Sequence, residues 1–342
     1  MTIPLQRAQR FTPGSRIGIL SPAAATVHAF PGRTERAITN LQEAVNGRVH
    51  NRPNVKDKVG YRAMAPAQVA AQLHEMFANP DVKLVITSIG GFNSNEVLRF
   101  VDWDLLSRHP TLICGYSDAT ALLAALHART GQVVLHGPAL LPQWGDPQGP
   151  LPECKAHFLH AIGGSTQPRE LRSPGFWIHP RLDWNDAKLS AHHAARHDAT
   201  WSVIQHGFAR GRLVGGNVET INMLIGTPYC PSFVDRIVFL EANGAEAFIP
   251  RFHRALVHLR DADVFTRAAG VMIGRCPDAL PVEGVSLADV VMDVIGYRNI
   301  PIAIDIDLGH SEPMLTMPIG CLTTFDARGA DARLVIEEAA AS

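Results

Sequence analysis

The sequence predicts an α/β protein: an N-terminal parallel-sheet domain with a sharp strand-to-helix turn, then a smaller β-rich α+β domain. Three observations carry this. The first half alternates short apolar runs with segments of helical periodicity. Two of the apolar runs end in turns made of small residues. Beyond about residue 165 the strands shorten and mix irregularly with helices.

The first strand is Arg16–Leu20 (RIGIL), stopped by Ser21-Pro22. Apolar positions at helical spacing over 34–45 and 66–78 predict two helices, the second closed by Asn79-Pro80-Asp81. Val82–Thr87 (VKLVIT) is the next strand and runs into Gly90-Gly91. A helix at about 94–100 precedes the strand Thr111–Cys114, the turn Gly115-Tyr116-Ser117-Asp118 and a helix over 119–129. In a parallel sheet, ligands bind beyond the carboxyl ends of the strands, where both of these turns fall. The Pro-, Gly- and Trp-rich stretch 137–153 offers little to extend a sheet. The domains are therefore expected at 1–165 and 166–342. The second holds strands near 201–206, 236–240, 270–273, 301–306 and 320–325, with helices near 217–225, 250–260 and 285–296. The terminal EEAAAS is expected to fray.

Composition narrows the function classes. Of 342 residues, 46% are hydrophobic and 18% charged, an ordinary globular balance, and 31 basic residues face 32 acidic ones, which argues against a nucleic-acid partner. Five scattered cysteines without C-x-x-C spacing argue against disulfides and structural zinc. No apolar run approaches a membrane span and the first twenty residues lack a signal-like apolar core, so a cytoplasmic protein is expected.

A serine on a strand-turn-helix connection projects its hydroxyl above the sheet beside backbone N–H groups, which makes Ser117 a candidate nucleophile. The G-x-S-x-G signature is not matched, since Ala119 stands two residues on, and Ser-Asp before an apolar helix also reads as an N-cap. A nucleophile needs a base and a group to orient it. His310, just past a strongly β run, and Glu241, closing the apolar strand RIVFLE, are the candidates, with Glu246 a rival behind the next turn. Gly91, in the pair Gly90-Gly91, and the amide of Asp118 are candidate oxyanion donors, although Gly-Gly is also a routine turn. His192, His193 and His197 lie in a charged loop without an H-E-x-x-H pattern and read as solvated. Trp144, Trp177 and Trp201 read as packing residues. Trp184 stands apart because Asp183, Asn185 and Asp186 surround it.

The segments SIGGFNSNEVL (88–98), ICGYSDATALL (113–123), HGPAL (136–140), GRLVGGN (211–217), VFLE (238–241) and DLGHSEPMLTMPIG (307–320) together resemble the LD-carboxypeptidase family of serine peptidases. The resemblance is nearest to its microcin C immunity branch, through GPALLPQWGDPQGP and a long insert at 178–200. It implies a Ser117–His310–Glu241 triad, Gly91 and Asp118 as oxyanion donors, and Gly90 and Asn217 beside the substrate. It also implies an insert that lies over the site, where Trp184 would stack on a nucleobase. The residues before the histidine are Leu308-Gly309, where many members have Phe-Gly. The expected substrate is a peptidyl- or aminoacyl-nucleotide conjugate, handled without cofactor or metal by a homodimer that binds neither nucleic acid nor membrane. The alternatives are a murein tetrapeptide LD-carboxypeptidase and a catalytically idle binding protein.

Overall fold

The computed structural model describes residues 3–53, 58–179, 183–185 and 188–342. Its first sheet orders six strands as Met317–Ile319, Val134–His136, Leu112–Gly115, Val82–Thr87, Arg16–Leu20, Arg48–Val49. Neighbours run parallel except Met317–Ile319, which lies antiparallel to Val134–His136. Val82–Thr87 and Leu112–Gly115 are almost wholly buried, as their unbroken apolar runs require. The second sheet orders eight strands as Arg169–Leu171, Arg333–Ile336, Leu322–Ala327, Gly207–Asn217, Arg236–Glu241, Gly270–Gly274, Ile302–Ile306, Ser202–Gln205. The four from Gly207–Asn217 through Ile302–Ile306 are mutually parallel and the flanking strands antiparallel.

One helix joins the two sheets. Thr120–Thr130 is buried nearly all round, so it has no water-facing stripe and must be covered on both sides. It packs on Val134–His136 of the first sheet and on Gly207–Asn217 of the second. There the Asn217 amide donates to Thr120 Oγ1 at 3.0 Å, and a Cβ on Gly216 would meet the Thr120 side chain at 2.4 Å. That close approach brings the carboxyl ends of strands from both sheets to one place.

The structure departs from the sequence reading at four points. Gly207–Asn217 is one long strand, masked in the sequence by glycines that weaken strand propensity. Gly215 is needed there, since a Cβ at its φ of +153° would lie 1.8 Å from the Phe239 carbonyl oxygen. Pro152–Ile162 is a helix just beyond the Pro-rich stretch, with proline at its start. The Pro-rich stretch itself is buried because side chains of the helix Pro31–Val45 satisfy its carbonyls. Arg33 donates to Leu141 and Pro142, Arg36 to Gly145, and Asn40 to Trp144 and Asp146. The C-terminus is not frayed. Ser342 exchanges backbone hydrogen bonds with Ala8 and Arg10 at 2.9 and 2.8 Å, and Ala341 is buried.

Candidate active site

The strand Leu112–Gly115 ends, Tyr116 stays extended at φ −157°, and Ser117 turns to φ +59°. A non-glycine residue held there stores roughly 1–3 kcal/mol of strain, which must be supported by its surroundings. The support is visible. Asp118 is buried and its Oδ2 accepts from the Ser94 amide at 2.9 Å, while its carbonyl accepts from Ser94 Oγ. Burial pushes the Asp118 carboxyl up, and the bonds from Ser94 and Asn93 oppose that. Asp118 thus ties the serine turn to the segment following Gly90-Gly91. A Cβ on Gly90 would fall 2.9 Å from Ser117 Cβ and 3.0 Å from both Ser117 Oγ and the Asp118 amide nitrogen. Only glycine lets this backbone approach the serine so closely. Gly91, at φ +151°, closes on Ala23 and Ala24 in the same way.

His310 Nδ1 lies 2.6 Å from Glu241 Oε2. Glu241 is fully buried at the carboxyl end of Arg236–Glu241, and His310 follows the end of Ile302–Ile306. Burial pulls the Glu241 carboxyl upward, but the charge and hydrogen bond of His310 and the amide of Asn217 outweigh it, so the net shift is down. For His310, burial favours the neutral ring, yet Glu241 overcomes it and the imidazole sits above its ordinary value. The chain bends tightly enough for this pair because Gly309 has no side chain. A Cβ there would lie 2.8 Å from Glu241 Cβ. Three further contacts fix the bend. The carbonyl of Leu308 accepts from His136 Nε2 at 2.7 Å, which sets the His136 tautomer, and buried Asp307 accepts from Trp201 Nε1 at 2.8 Å and Arg275 Nε at 3.2 Å.

Ser117 and His310 line one cavity of about 470 Å³, and Tyr116, next to the serine, packs its ring 4.8 Å from the His310 ring. Among the described residues no hydrogen bond joins Ser117 to His310. Gly90, Gly91 and Trp184 also line the cavity. Trp184 carries the Arg33 guanidinium 4.3 Å over its ring, with Phe30 edge-on at 5.4 Å. Its neighbour Asp186 lies outside the described residues. The insert is anchored at both ends. Phe176–Ile178 pairs with Arg196–Asp198, Ile178 bonds Glu312, and Asp146 accepts from Ser190 Oγ and the Ala191 amide.

Asn217 does not line the cavity. It is buried, caps the helix Val218–Leu224 through Thr220, and donates to Glu246 at 2.6 Å. Its side chain also lowers the Glu241 carboxyl, and the charge of Glu246 still reaches His310 and raises it. The three loop histidines diverge: His192 meets the Gly149 carbonyl, His193 meets Gln148 and His197 stacks on Trp177. Among the described residues no cluster of three or more His, Cys, Asp or Glu is placed to hold a metal. Sequence reasoning missed His136, Arg33, Gln143 and Glu312. The HGPAL and HSEP segments and GPALLPQWGDPQGP held His136, Glu312 and Gln143, but nothing in them marked these residues out.

The chain matches the family models described as LD-carboxypeptidase N-terminal domain over residues 17–137 and LD-carboxypeptidase C-terminal domain over residues 210–325. YocD of Bacillus subtilis is 32% identical over 97% of this chain and 99% of its own length. The microcin C7 self-immunity protein MccF of Escherichia coli is 28% identical over 92% of this chain and 91% of its own. A solved structure of MccF with aspartyl sulfamoyl adenosine superposes with a TM-score of 0.89 at 25% identity, covering 98% of this chain and 100% of that one. Another holds adenosine monophosphate. A murein tetrapeptide carboxypeptidase of Pseudomonas aeruginosa is 23% identical over 89% of this chain and 91% of its own.

Proposed function

We propose a specific hydrolytic role on one premise: the chain belongs to the LD-carboxypeptidase family of serine peptidases. Ser117 is the nucleophile, His310 the general base and acid, and Glu241 the group that orients it. The buried 2.6 Å Glu241–His310 pair, opening on the cavity that Ser117 lines, carries this reading. Glu241 occupies Nδ1, so Nε2 is left to take the Ser117 proton as Oγ attacks the scissile carbonyl. The carboxylate stabilises the imidazolium that forms. The amides of Gly91 and Asp118 receive the developing oxyanion, and the backbone at Gly90 packs close enough to Oγ to hold that geometry. His310 then passes the proton to the leaving nitrogen, and water attacking through the same base releases the acyl group. Free enzymes often hold such pairs looser than hydrogen-bonding distance, and substrate tightens them.

The substrate class we propose is an aminoacyl- or peptidyl-nucleotide conjugate, in a cytoplasmic homodimer that confers immunity or detoxification. A cavity of about 470 Å³ suits a nucleoside conjugate, and the insert brings Trp184 to its wall. MccF, of the same fold, is seen with aspartyl sulfamoyl adenosine. Incubation with aspartyl sulfamoyl adenosine and, separately, a murein tetrapeptide tests the proposal by chromatography of the products. The expected result is aspartate and sulfamoyl adenosine from the first. Release of D-alanine from the tetrapeptide with the conjugate untouched would overturn it in favour of the murein reading.

A further inference from the structure

We infer that Glu312 recognises a primary ammonium group on the acyl part of the substrate, beside the scissile amide; this rests on the aminoacyl-conjugate reading above. Glu312 stands two residues past His310, is 8% exposed, and lines the cavity. Its backbone is fixed by reciprocal hydrogen bonds with Ile178, at 2.7 and 3.2 Å. Oε1 accepts from Gln143 Nε2 at 2.8 Å, and the same Gln143 nitrogen reaches Tyr116 Oη at 3.3 Å. Since Tyr116 precedes Ser117 and packs on His310, the Glu312 carboxyl is linked through Gln143 and Tyr116 to the reacting centre, whose cavity it shares. An aminoacyl group carries its ammonium one carbon from the attacked carbonyl, and so inside the same cavity.

The other oxygen, Oε2, has no hydrogen-bond partner among the described residues, although the Met314 amide lies close enough to favour the charged form. A buried carboxylate with an idle oxygen is costly unless a donor arrives. Among the described residues no cation supplies one. Arg33, the neighbouring cation, spends Nε and one terminal nitrogen on the carbonyls of Leu141 and Pro142 and lays its plane over Trp184. Asp146, also nearby, adds negative charge and is itself engaged by Ser190 and Ala191. Burial accordingly pushes the Glu312 carboxyl up to about 7. A ligand ammonium would satisfy Oε2 and restore the charge.

The test measures binding calorimetrically at pH 8 in Ser117→Ala protein, so that no turnover intervenes. The probes are aspartyl sulfamoyl adenosine and succinyl sulfamoyl adenosine, which differ only in the amine. The amine-bearing probe is expected to bind about ten- to a hundredfold tighter, the range for a hydrogen bond to a charged group. Adding Glu312→Gln, which keeps the Gln143 contact, should erase that preference and leave the succinyl affinity within about twofold. Equal affinities in the Ser117→Ala protein, a measurement that does not depend on the double variant folding, would overturn the proposal. So would equal losses for both probes on Glu312→Gln. If neither probe binds, the aminoacyl-conjugate reading fails and this inference falls with it, an outcome separate from equal binding of both.

Discussion

Glu241→Gln keeps the side chain's shape and removes its charge. In the native protein the carboxylate is fully buried and 2.6 Å from His310 Nδ1, and it alone among the near contacts raises His310 through both charge and hydrogen bond. The expected loss in kcat is on the order of 10⁴-fold, the scale seen when a triad's orienting carboxylate becomes an amide. Because His310 can shed its proton when the partner is gone, the fold should lose less than the roughly 3–5 kcal/mol of a broken buried ion pair. The pH dependence is more diagnostic than the size. The base must be neutral, so kcat/KM rises with pH through the His310 pKa, which in the native enzyme lies above the ordinary histidine value. In Glu241→Gln the largest raising influence disappears, leaving only the charges of Glu246 and Asp278 against burial, which lowers it. The acid limb should therefore move to lower pH, and the ratio of native to variant rates should be largest on the alkaline side and shrink toward pH 5. The assay is kcat/KM from pH 5 to 9, with thermal melting to check folding. An unmoved acid limb would refute the assignment of His310 as the base that Glu241 tunes.

Trp184→Ala should raise KM about 5- to 150-fold for a nucleotide-linked substrate, the range of roughly 1–3 kcal/mol for base stacking, with kcat nearly unchanged. Equal losses on a substrate lacking the base would make Trp184 a packing residue for Arg33 and Phe30. Gly309→Ala puts a Cβ 2.8 Å from Glu241 Cβ and 3.1 Å from Oε2. It should lower activity at least tenfold and stability by about 1–3 kcal/mol, read by rate and denaturant melts. Chelator should leave the rate unchanged, since His192, His193 and His197 turn to separate partners; loss reversed by zinc would contradict the proposed chemistry.

What the sequence made legible follows from local physics. A strand breaking into Gly-x-Ser-Asp, a carboxylate closing an apolar strand and a histidine just past another are each short-range patterns, and the parallel sheets carry all three to one end. The interior of the cavity was not legible, because its members meet only through tertiary contact. Gln143 and Glu312 are 169 residues apart, and nothing near either announces the other. Asn217 has roles that its motif did not announce. It closes a motif expected beside the substrate, and in the fold it also caps a helix and lowers the Glu241 carboxyl. The strand Gly207–Asn217 was hidden for a related reason: the glycines that weaken its propensity are what allow the backbone to pass Phe239 and Thr120.

The central claim is that Ser117 forms the acyl-enzyme. The direct measurement is peptide mapping by mass spectrometry after reaction with a fluorophosphonate, beside single-turnover rates for native and Ser117→Ala protein. The account predicts one adduct, on Ser117, none on the variant, and a rate loss on the order of 10⁶-fold with the melting temperature preserved. An adduct on another residue, or more than a few per cent of the native rate in Ser117→Ala, would contradict it.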